Sequence, residues 1–106
     1  MSTDGEPLLH LDFSAAVIHW RGPAPFFFVA IPPDHVTALR QAARSVSYGW
    51  GMIPVTVRMG DLTFSTALFP KDDTYLVPLK ARVRRDAAIG AGDTIAIQID
   101  VPPIRS

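Results

Sequence analysis

The segment Ile53 to Val83, IPVTVRMGDLTFSTALFPKDDTYLVPLKARV, alternates apolar and polar residues through three runs separated by two short turns. Period-two alternation demands strands with one face on a core and one in water, and short turns force the three to pair as antiparallel neighbours. Met59-Gly60-Asp61-Leu62 reads as a two-residue hairpin loop in which Gly60 supplies the positive φ. Met59 then faces Leu62, Val57 faces Phe64 and Val55 faces Thr66. With Lys71-Asp72-Asp73-Thr74 as the second turn, Leu68 faces Val77, Thr66 faces Leu79, Phe64 faces Ala81 and Leu62 faces Val83. Both turns place the same side chains inward, so the register is self-consistent.

The outward residues follow from that register. Arg58, Thr63 and Arg82 form one predicted cross-strand row, and Thr56, Ser65 and Lys80 form the next, with strands ~4.8 Å apart. Three cations and three hydroxyls on one surface suit a phosphate, a carboxylate or a nucleic-acid backbone. The competing reading is an ordinary solvated strand face, partly neutralised by Asp61, Asp72 and Asp73.

Elsewhere the chain keeps the same period. Ile95, Ile97, Ile99 and Val101 alternate with Thr94, Ala96, Gln98 and Asp100, as in a half-buried strand. Leu8 to Trp20 reads as a less regular strand, Arg21 to Pro25 interrupts it, and Phe26 to Ile31 is apolar enough to be covered on both faces. One segment has helical spacing: Pro33 suits a first turn, Asp34 complements the dipole, and Val36, Leu39, Ala43 and Val46 form a stripe. The expected fold is mainly β, a small closed double-split-type barrel over residues 1–106. It has one helix at about 33–46, a short helical turn at about 86–89, and a flexible stretch at 1–7.

The glycines of RDAAIGAGDTIAIQI, Gly90 and Gly92, do not form a phosphate loop, because the chain after them enters a strand rather than a long helix. Asp86 is read as the N-cap of the short turn, Gly90 as its left-handed terminator, and Ile89 as its anchor to the core.

Composition narrows the function classes. Ten basic and ten acidic residues cancel, so no whole-molecule field recruits nucleic acid or an acidic membrane. The chain has no cysteine, which removes disulfides, thiolate catalysis and thiolate-bound zinc. No signal peptide or membrane span is read, and a cytoplasmic bacterial protein is expected. His10, His19 and His35 have no metal-ligand spacing, no serine lies in a nucleophile elbow, and Asp72 and Asp73 diverge at a turn. No catalytic residue, metal or cofactor is expected.

The order IPVTVRMGDLTFSTALFP, YLVPLKARVRR, GAGDTIAIQI resembles a small bacterial family of unknown function. Its members occur alone or fused ahead of a YdeI/OmpD-associated-like, bacteriocin-protection type segment. The resemblance implies a double-split β-barrel related to the swapped-hairpin barrels of AbrB and MazE-type DNA-binding proteins, and it brings no catalytic residues. The chain stops at Ser106 without the fused segment, so no function of that segment is expected here.

Ser47-Tyr-Gly-Trp-Gly51 alternates two amphipathic aromatics with two glycines. Tyr48 and Trp50 read either as a binding loop or, slightly favoured, as a plug closing the barrel end. The functional expectation is a non-enzymatic binding module engaging an anionic small molecule or a partner through Arg58, Lys80 and Arg82, with Thr63, Ser65, Tyr48 and Trp50 around them. The alternatives are DNA binding by analogy with the related barrels, against which the zero net charge argues, and an enzyme with unidentified catalytic residues.

Overall fold

A computed structural model describes residues 6–23 and 26–103. The expected flexibility of residues 1–7 and the end of the Arg21 to Pro25 interruption therefore lie in part outside the described residues. Seven strands, β1 (Leu9–Ala16), β2 (Ile18–Trp20), β3 (Phe26–Ala30), β4 (Ile53–Met59), β5 (Leu62–Lys71), β6 (Thr74–Pro78) and β7 (Thr94–Val101), form one antiparallel sheet. Helix α1 spans Pro33–Val46 and α2 spans Ala81–Ala87. The order across the sheet is β1-β7-β4-β5-β6-β3-β2, and it curls into a half-barrel.

The central register is the one that the alternation dictates. Val55 pairs with Thr66, Val57 with Phe64 and Met59 with Leu62, around a turn where Gly60 has φ +58°. The β5–β6 pairing keeps the predicted offset, with Phe69 opposite Leu76 and Lys71 opposite Thr74. Asp72 takes the left-handed conformation in that turn, at φ 54°. In β7, Ile97, Ile99 and Val101 are fully buried, as are Val57 and Leu68 beside them. Each such side chain contributes roughly 1.5–3 kcal/mol relative to exposure.

Helix α1 has its expected bounds. Pro33 occupies the first turn, where its missing N–H has no partner to lose, and Val36, Leu39 and Ala42 are buried against the concave face.

The structure departs from expectation between Pro78 and Gly90. The third strand does not continue through Val83: β6 stops at Pro78, which lacks a ladder donor, and Ala81 to Ala87 coil into α2. Leu79, Val83 and Ala87 recur four residues apart and all pack on the core, so the helix keeps Leu79 and Val83 inward, adds Ala87 and turns Ala81 out to solvent. The helical turn at 86–89 is therefore a longer, earlier helix. Asp86 lies inside α2 rather than capping it. Ala88, not Gly90, takes the left-handed position, with φ 56°, and the Ile89 N–H closes the helix on the Arg84 carbonyl.

The first strand is divided at Val17. β1 pairs with β7 at one edge of the sheet and β2 pairs with β3 at the other, so two edges are consecutive in sequence. The Gly90 to Asp93 loop docks at this corner. Val17 N–H donates to the Asp93 carbonyl, Gly92 N–H donates to Val17, and Gly90 N–H donates to the Asp93 carboxylate. Both glycines thus serve the corner, and the chain runs on into β7.

Candidate functional site

The predicted residues on β4 and β5 stand where the register puts them. Arg58 is opposite Thr63 and Thr56 opposite Ser65, all facing away from the core. On the other side of β4, β7 brings Asp100 opposite Thr56 and Gln98 opposite Arg58, and β1 adds His10 beside Asp100 and Asp12 beside Gln98. Two polar rows thus cross four strands: His10, Asp100, Thr56, Ser65 and Asp12, Gln98, Arg58, Thr63. Asp100 ties them together, accepting from Arg58 Nη2 at 3.2 Å and from His10 Nδ1 at 2.5 Å. The guanidinium expected to meet an anion already has one.

Lys80 and Arg82 are corrected with the strand that was to carry them. Lys80 is the residue ahead of α2 and Arg82 lies on its first turn, with Nε 3.8 Å from Asp86. The helix still leans on β5, so Arg82 lines a shallow groove with Thr63, Phe64 and Asp86. Arg58, Thr63 and Arg82 are neighbours by a different route, whereas Lys80 stands off the sheet, ahead of α2. Both guanidinium groups have a carboxylate beside them in exposed ion pairs, which contribute ~1 kcal/mol or less.

Tyr48 and Trp50 do not plug the barrel. Tyr48 bridges to Met52, Gly49 and Gly51 take positive φ at 56° and 88°, and the turn throws Trp50 outward to 93% exposure. A five-residue turn this tight cannot fold its central side chain back over the sheet. The turn sits next to the end of β5, Gly51 lying against Pro70.

What the polar pattern did not reveal is the rest of the outer face. Ile18 and Trp20 of β2 pair with Phe28 and Phe26 of β3, Phe28 pairs with Pro78, Ala30 pairs with Leu76, and Leu76 with Phe69. All of these face away from the core that holds Val29, Tyr75 and Val77. Phe26 packs against Phe28 and Phe69 at centroid distances of 5.3 and 5.9 Å. Leu76 is buried on this outer side. Lys71 places its ammonium 5.8 Å from the Trp20 ring, and none of these outward positions holds a carboxylate. The available signal was the apolar run Phe26 to Ile31, read as covered on both faces; Phe26 and Phe28 are half-buried on the outer side, where Ile18 and Trp20 stand exposed beside them.

On the inner side, Phe27 is sandwiched. His19 stacks on it at 4.2 Å with the ring planes nearly parallel, and the Arg84 guanidinium lies 3.6 Å from its centroid while Arg84 Nε donates to the Leu79 carbonyl. This stack fastens α2 to β2 and β3, through a cation–π contact of roughly 0.5–2 kcal/mol.

A family model described as a domain of unknown function, DUF1905, matches residues 13–99, from within β1 to within β7. The chain belongs to this family. The match takes in the aromatic half of the outer face and all of α2, whereas His10, Asp12 and Asp100 of the polar half lie outside it. No curated protein matches the chain. Among the described residues, no three His, Asp or Glu side chains are grouped to hold a metal ion, and no helix is long and apolar enough to cross a membrane.

Proposed function

We propose that this DUF1905 domain is a non-enzymatic binding module that engages a partner protein through the aromatic half of its outer sheet face. One observation carries the reading: Trp20, Phe26, Phe28 and Phe69 share an outward surface free of carboxylates at its paired positions, and Trp20 is 48% exposed. A sheet that is apolar on both sides calls for cover on both sides, and contiguous exposed apolar surface marks interaction sites. Trp50 beside the end of β5 supplies a projecting anchor of the type enriched at interface centres. The reading includes closure of the half-barrel into a double-split barrel through Val17, and cytoplasmic residence, supported by a chain without cysteine.

The test is site-specific photocrosslinking in cells, with the crosslinker at Trp20 and, as a control on the polar half, at Ser14. A discrete adduct from Trp20 alone is the expected result, and mass spectrometry of that adduct identifies the partner. Equal labelling at both positions, or none at either, removes the reading.

A second reading keeps the anion. It rests on the groove that sets Arg82 beside Thr63, across from Arg58. An anion binding there competes with Asp100 and Asp86, so affinity is modest. Sulfate should raise Tm more than chloride at matched ionic strength, and the change Arg58→Gln with Arg82→Gln should erase the difference. An unaltered sulfate response in the double variant ends this reading. A gel shift at low salt decides whether the anion is a DNA backbone.

A further inference from the structure

Between the first turn of α1 and the β5–β6 turn lies a cleft of about 600 Å³, which borders the aromatic face at Ala30 and is separate from the Arg82 groove. That volume is in the range of small-molecule sites. Its walls come from Ala30, Ile31, Pro33 and Val36 on one side and Asp72, Asp73 and Thr74 on the other. Ile31 and Val36 also belong to the buried core, so the floor of the cleft is the core itself.

The walls are fixed before any ligand arrives. Lys71 pairs with Thr74 below the turn, the Thr74 hydroxyl donates to the Ile31 carbonyl at 2.9 Å, and α1 is anchored by the fully buried Leu39. That bond also commits the Thr74 hydroxyl and leaves the floor without a free donor from it.

Charge then selects the ligand. Asp72 and Asp73 are the only ionisable residues in the lining, and neither forms an ion pair among the described residues. The cation that comes close, Arg40, gives its Nη2 hydrogen bond to the backbone carbonyl of Asp73 and not to a carboxylate. An apolar floor with carboxylates at the rim complements a molecule with an apolar body and a positive end, and repels one with a negative end.

We infer that this cleft is a binding site for small organic cations, an ammonium or guanidinium group at Asp72 and Asp73 with an aromatic or branched apolar body over Ile31 and Val36. The site shares Ala30 with the proposed partner surface, but its test uses neither Trp20 nor a partner, so either can fail without the other.

The probes are 2-phenylethylamine, 2-phenylethanol and 3-phenylpropionate, close in size and differing in charge, titrated into the isotope-labelled full chain and followed by amide NMR. The amine should produce saturable shifts at Ile31 to Thr37 and at Asp72 to Thr74. The alcohol should bind the same residues roughly fivefold more weakly, the gain expected from a partly exposed ion pair, and the propionate more weakly still. Asp72→Asn with Asp73→Asn should bring the amine down to the alcohol. Thr37→Trp, on the cleft wall, should block both, with unshifted resonances in β7 showing that each variant is folded. Equal affinity for amine and alcohol, shifts centred elsewhere, an amine preference that survives the double Asn variant, or no saturable binding of the amine overturns the inference.

Discussion

The two halves of the outer sheet face are built on the same curled sheet and around the same core, yet they carry opposite chemistry. Across β1, β7, β4 and the start of β5 the outward residues are His10, Asp12, Asp100, Gln98, Arg58, Thr63 and Ser65. Across the end of β5 and through β6, β3 and β2 they are Phe69, Leu76, Phe28, Phe26, Ile18 and Trp20. β5 crosses the boundary within one strand, its outward side passing from Thr63 and Ser65 to Ala67 and Phe69. Core formation dictates only the inward residues, so outward residues are free to differ, and where they turn apolar without being covered they report a demand other than folding. The polar half satisfies itself through Asp100, whereas the aromatic half sets the Lys71 ammonium over the Trp20 ring.

The strongest way to break this contrast is a carboxylate at matched outward positions. Leu76→Asp should cost several kcal/mol, because the outer aromatics bury that position and nothing there pairs the charge. Thr56→Asp, outward on the polar half, should cost about 1 kcal/mol or less. Urea unfolding measures both, and equal losses would mean that the two faces are not different environments. A smaller effect sharpens the polar side: Arg58→Gln should cost under ~1 kcal/mol, with the loss shrinking as salt is added, because its pair with Asp100 is exposed. A loss insensitive to salt would show that Arg58 acts through packing instead.

The register of β4 and β5 was legible because turn length and alternation are redundant constraints: Gly60 fixes the turn, and a slip of one residue would have turned Val55, Val57 and Met59 out to water. Arg82 was misplaced because Leu79, Ala81 and Val83 satisfy a strand while Leu79, Val83 and Ala87 satisfy a helix. Over a window this short, periodicity alone does not decide. Pro78 and the good helix formers Ala81, Arg82, Arg84 and Arg85 were the local signals that favoured the helix. Of the candidate site, Arg58, Thr63 and Ser65 were readable because they sit on those redundantly specified strands. The Asp100 link was not, since Asp100 lies 42 residues from Arg58 and no local rule sets that pairing. Trp50 failed as a plug for a geometric reason: its two flanking glycines take positive φ and enforce a turn that faces the ring outward.

The pairing of β1 with β7 sets a timetable. Leu9 lies opposite Val101 and Ala16 opposite Thr94, so the first strand to leave a ribosome has no partner on that side until the last one has emerged. Local hairpins such as β4–β5 can form at once, on the microsecond scale, but completing the sheet waits for contacts of the longest sequence separation in the chain. During that wait the Ala15 to Ile18 run and the aromatic half stand open together. In this chain, the interval of synthesis is when apolar surface is most exposed to the wrong partner.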